Sequence, residues 1–246
     1  MIKTKYLTLF FLLFCSKLLF AQDQPPAWGG GADQRDLSFG FSFSYVSNYF
    51  KILKQPNWQT PFLDKENGNA PVTSPVNTIS SPNAPGFAVG FLTRYRLTEH
   101  LEARVTPSLI FADRDISYTY VNPSDNVVKT VQSTTVDLPL LLKLKSDRVG
   151  NFRAYILGGV KYSYAIGADK SDATAALIDK TVKNVPGYGS YEAGIGCDIY
   201  FEYFKLSPEI MLSNSFGNVL VPENQPFSSP ISKLLLHTVM FNLYFE

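Results

Sequence analysis

Cysteine and histidine are scarce in this chain, which holds two of each in 246 residues: Cys15, Cys197, His100 and His237. With Cys197 alone beyond residue 21, no intramolecular disulfide and no cysteine-rich metal site can form there. The histidines lie far apart in sequence, and neither has a Ser or acidic partner set close by. Neither triad spacing nor metal-ligand spacing follows from them, so no catalytic, cofactor or metal residue is assigned. An excess of one charge is also missing: 22 Lys and Arg stand against 21 Asp and Glu. That balance offers no electrostatic footprint for nucleic acid. Long apolar runs are absent too, since nothing after residue 21 approaches the roughly 20 residues of a membrane-spanning helix. If such a chain enters a membrane, it must do so as a closed barrel, because only helices and barrels satisfy every backbone group in lipid.

The first 21 residues read as a secretory signal peptide. Lys3 and Lys5 precede an apolar run from Tyr6 to Phe14, and Leu19, Phe20 and Ala21 form a cleavage site before Gln22. Cys15 follows bulky Phe14 where a lipoprotein would place a small residue. Removing Lys3, Lys5 and Lys17 leaves 19 basic against 21 acidic residues in the chain from Gln22 onward. Residues 22–36, with Pro25-Pro26 and Gly29-Gly30-Gly31, read as a flexible periplasmic lead-in to a barrel spanning 37–246.

From Leu37 onward the hydrophobicity alternates with period two, the signature of strands with two unlike faces. Leu37, Phe39, Phe41, Phe43 and Tyr45 oppose Ser38, Gly40, Ser42 and Ser44. The pattern returns seven more times, in segments centred near residues 91, 106, 140, 158, 196, 208 and 241. Short connections at 98–100, 146–151 and 202–203 alternate with longer polar ones at 48–85, 121–129, 168–187 and 217–233. Eight alternating segments with short turns at one end and long loops at the other predict an all-β, eight-stranded antiparallel transmembrane barrel. Its termini would then both be periplasmic, in the outer membrane. Within the loop 48–85, residues 55–85, carrying Pro56, Pro61, Pro71, Pro75, Pro82 and Pro85, read as extended or mobile.

The polar face of these strands carries Arg94, Arg96, Arg104, Lys143, Lys145, Arg153, Lys161 and Lys205 against Glu102, Asp137, Glu192, Asp198 and Glu209. Buried charges persist when paired and hydrogen-bonded. They are therefore expected to form a structural ion network that fills the lumen, which in an eight-stranded barrel is only wide enough for side chains. The alternative, a soluble barrel with the apolar face inward, would have to pack Phe and Leu from all eight strands into that space. Aromatic girdles are expected at both rims, with Tyr45, Tyr118, Tyr162, Tyr164 and Tyr191 at one, and Tyr95, Phe152, Phe201, Tyr203 and Phe204 at the other.

Four segments carry a family resemblance. Pro85-Gly86-Phe87-Ala88-Val89-Gly90, Asp137-Leu138-Pro139-Leu140-Leu141-Leu142-Lys143, Phe152 through Tyr164 (FRAYILGGVKYSY) and Tyr203 through Ile210 (YFKLSPEI) together resemble the PorT/SprT proteins of Bacteroidota. The resemblance runs from about Leu37 to Glu246 and is weakest in 48–85. It implies a non-enzymatic outer-membrane component of the type IX secretion system, required for protein export and, in gliding species, for motility. It also implies partnership with other secretion components and with outer-membrane lipid. It brings no cofactor, small-molecule substrate or ligand residue. A general porin-like or adhesive barrel, or a lipid-modifying enzyme, would keep the fold without those partners.

Overall fold

The computed structural model describes residues 33, 35–65, 67–131, 134–166 and 176–246. The signal-peptide reading of 1–21, and all of 22–36 except Asp33, Arg35 and Asp36, lie outside the described residues. The strands are β1 (Leu37–Lys54), β2 (Leu63–Asp64), β3 (Ala70–Pro71), β4 (Val76–Ser80), β5 (Ala84–Arg96), β6 (Leu101–Val105) and β7 (Ser108–Phe111). They continue as β8 (Arg114–Tyr120), β9 (Val127–Val131), β10 (Thr134–Lys145), β11 (Phe152–Ile166), β12 (Gly187–Tyr200), β13 (Lys205–Ser215) and β14 (Ile231–Phe245).

Nine of these make one antiparallel sheet that closes on itself, because β1 pairs with both β14 and β5. Strands β6 and β7 are two halves of one barrel position, both lying between β5 and β10. The interruption falls at Thr106 and Pro107, and proline lacks the N–H that an unbroken ladder would use. The ring therefore has eight positions, as the alternation predicts. Short connections after β5, β10 and β12 gather at one end, the turn side, and the longer ones at the opposite, loop side.

The parity of side chains sets the inside and the outside. Phe39, Phe91 and Ile195 are 67%, 72% and 61% exposed on the exterior, whereas Glu102 and Asp198 are fully buried inside. An apolar exterior around a polar interior is the inverse of a soluble barrel, and it is the arrangement that a bilayer demands. Glycine serves close approach within the wall. A Cβ at Gly196 would stand 2.5 Å from the Tyr155 hydroxyl oxygen and 2.7 Å from the Pro208 carbonyl oxygen. The missing side chain leaves room for the Tyr155 ring in the lumen.

The loop side departs from expectation. At 18 residues β1 is longer than the 9–11 or so that span a bilayer, and its last turns rise beyond the apolar belt. Strands β8 and β9 form a hairpin there, and β4, from the proline-rich segment, joins it in the order β4-β8-β9. This sheet covers an apolar core that includes Phe50, Val76, Ile79, Ile116, Phe227 and Leu234. The expectation that 55–85 is extended or mobile is thus corrected: its β4 is packed. A register irregularity between Val76 and Thr78 puts both Val76 and Ile79 on the buried face, which hides the period-two signal. Tyr118 is corrected with it. It is no rim residue but a buried one, whose hydroxyl donates to the Phe227 carbonyl at 2.6 Å. Burial raises its phenol well above the ordinary value. At the hairpin tip the Ser74 N–H donates to the Asp125 carboxylate at 2.9 Å, holding that group below its usual range.

Candidate functional site

The strands bring twelve of the thirteen expected network residues into the lumen, stacked in three tiers. At the turn side Glu102 accepts from Arg94 at 3.0 Å and also from Lys145. Lys143 Nζ lies 2.8 Å from both carboxylate oxygens of Asp198, which also accepts from Ser207 at 2.6 Å. Lys205 Nζ is 2.6 Å from Glu246, which pairs with Arg94 as well. In the middle tier Glu209 receives Arg104 at 2.7 Å, the Tyr155 hydroxyl at 3.0 Å and Asn242 at 3.1 Å. The Arg104 guanidinium also stacks 4.0 Å from the Tyr244 ring centre. Nearer the loop side Lys161 Nζ stands 2.9 Å from Asp137 and 2.9 Å from Glu192.

Arg96 is the exception. It continues the inward parity of β5 past the end of the lumen, so its guanidinium lies at the rim, paired at 2.8 Å with Asp36. Arg153 reaches the turn-side mouth and completes the set. Sequence reasoning missed Asp33, Glu246 and the tyrosines Tyr155, Tyr200 and Tyr244. Parity alone could have flagged the three tyrosines, since each sits on a polar face. Glu246 extends the inward parity of β14 two residues past Tyr244, whereas Asp33 lies outside the alternating segments, and closure of the ring brings both to the same mouth.

Between the middle and loop-side tiers the interior is apolar, with Val46, Ala88, Ile110, Leu141, Met211 and Met240 in contact. A cavity of about 30 Å³ remains among Ser42, Thr106, Asp137, Lys161 and Tyr244, room for a water or so. The carboxylates of the three tiers each meet a cation, so the arrangement neutralises charge and holds the wall in shape. His100 and His237 lie outside it. His100 Nε2 is 2.8 Å from Asp147 at an exposed turn and lowers the carboxyl of that residue, while the His237 ring packs tilted at 49° against Tyr49, with ring centres 4.9 Å apart, on the outward face. Among the described residues no three His, Cys, Asp or Glu side chains converge as metal ligands.

A family profile described as the outer membrane protein beta-barrel domain matches residues 20–221. The chain belongs to that family. Its exterior belt is therefore a lipid-facing surface of the outer membrane, and the exposed Tyr45, Tyr162, Tyr164 and Tyr191 fall towards its loop-side border. Solved structures are similar in fold. The outer membrane protein OprG from Pseudomonas aeruginosa is 12% identical, with 91% of this chain and 97% of that chain covered and a TM-score of 0.48. Neisserial surface protein A is 10% identical, over 85% of this chain and 98% of that one, with a TM-score of 0.42. The attachment invasion locus protein Ail of Yersinia pestis is 12% identical, over 86% and 99%, with a TM-score of 0.38. No curated protein matches the chain.

Proposed function

We propose that this barrel is a non-enzymatic, non-conducting component of protein export by the type IX secretion system, with both termini and the turn side in the periplasm. The observation that supports the non-conducting part is the packed lumen: among the described residues, three tiers of ion pairs and an apolar layer fill it, and the cavity between them is about 30 Å³. No folded or extended cargo fits such an interior, so the barrel acts through its surfaces and cargo passes elsewhere. The link to secretion is supported by the PorT/SprT resemblance of the four segments quoted above. Affinity purification of the tagged protein from native outer membranes tests the partnership. Other secretion components should come with it. Recovery of the barrel with none of them would overturn this role.

A second reading, an adhesive barrel, draws on the loop-side cap. A packed core beneath β4, β8 and β9 holds a fixed surface away from the membrane, which suits recognition of something outside the cell. A porin-like barrel shares the same fold, and a conductance measurement separates it from this reading.

A further inference from the structure

Asp33 precedes β1 by four residues, yet its carboxylate sits inside the turn-side mouth of the lumen. It accepts from the Tyr200 hydroxyl and from Arg153 Nη1 at 3.4 Å, and lies 3.7 Å from Lys205 Nζ and 3.9 Å from Arg94 Nη2. The backbone around it is held too. Arg96 Nη1 donates to the Asp33 carbonyl at 2.9 Å, the Arg96 N–H donates to the Asp36 carbonyl at 2.7 Å, and the Arg96 guanidinium grips the Asp36 carboxylate. The expected flexible lead-in is therefore pinned at 33 and 36.

Charge explains why this mouth takes a carboxylate. Arg94, Lys143, Lys145, Arg153 and Lys205 line it, and Glu102, Asp198 and Glu246 are the strand-borne or chain-end acids that face them. Asp33 supplies a fourth acid, and among the described residues it is the carboxylate that Arg153 meets. Desolvated cations without a counter-charge are costly, so an acidic occupant is favoured. The contacts also select a peptide over a free anion, because Arg96 reads the backbone carbonyls as well as the second carboxylate.

We propose that the turn-side mouth is a binding site for an acidic peptide segment, occupied in cis by Asp33, and that an Asp- or Glu-bearing segment of a partner protein takes this place when the lead-in lifts away. The lead-in acts as a strap. Its tether gives it an effective concentration on the order of millimolar, so an incoming segment competes only when it is itself held nearby. This site does not depend on the secretion role.

The test uses the full-length barrel folded in detergent micelles, as wild type and as Asp33→Ala. The probe is a fluorescent synthetic peptide copying residues 28–38, with an otherwise identical peptide carrying Asp33→Asn. The Asp33→Ala barrel should bind the native peptide roughly tenfold or more tightly than wild type does, the scale of losing a charged hydrogen-bond set, and should bind the Asn peptide poorly. Trypsin should also cut after Arg35 roughly tenfold faster in the Asp33→Ala chain. Equal peptide binding by both barrels, equal binding of both peptides, or unchanged cleavage would overturn the proposal. Loss of heat-modifiable migration in Asp33→Ala would overturn it as well, by making Asp33 part of the fold and no displaceable strap.

Discussion

Lys161 shows at the scale of one residue what the lumen asks of its charges. Its ammonium stands 2.9 Å from Asp137 and 2.9 Å from Glu192, and all three side chains are buried. Removing the cation leaves two carboxylates close together with their counter-charge gone. Lys161→Met should lower stability by about 3–5 kcal/mol, the usual consequence of breaking a buried pair. Urea unfolding in lipid vesicles reads this directly. Adding Asp137→Asn and Glu192→Gln to the same chain should restore most of the loss. An unchanged midpoint in the single variant would show that the triad carries no structural load. These charges were legible from sequence because each lies on the polar parity of a strand. Arg96 was misplaced by the same rule, which cannot show where along a strand the lumen ends. Asp33 follows no periodic pattern, and its place in the mouth depends on chain closure, whereas Glu246 was legible as the next inward position after Tyr244.

The elements divide into those that a bilayer dictates and those that it does not. Barrel strands such as β10, with five outward aliphatic residues from Val136 to Leu144, announce themselves because lipid and lumen impose opposite chemistry on alternate positions. The cap strands β4, β8 and β9 are 5, 7 and 5 residues long, and β4 carries an irregularity. Short strands among prolines leave little periodic signal, which is why 55–85 reads as a loose segment. The cap stands as a unit on Ile116 and Tyr118, both fully buried. Ile116→Asp places an unpaired charge in that core, at a cost that the cap cannot absorb. Trypsin should then reach Lys65 and Lys129 much faster while the barrel keeps its heat-modifiable migration. Resistance equal to wild type would mean that the loop-side core does not hold these segments. Loss of the barrel itself would mean that cap and wall are one cooperative unit.

At the scale of the whole molecule, a wall of eight strands encloses tiers of ion pairs among the described residues. Incorporated into planar lipid bilayers, the protein should give no current steps above baseline, and steps of porin size would contradict the filled lumen. On the proposed reading the barrel serves through its rims and cap, beside an export machine. The most direct test of that place deletes the gene in the native host and follows one type IX cargo in periplasm and medium. Cargo retained in the periplasm, and released again by a plasmid copy, is the expected result. Normal export from the deletion strain would contradict it.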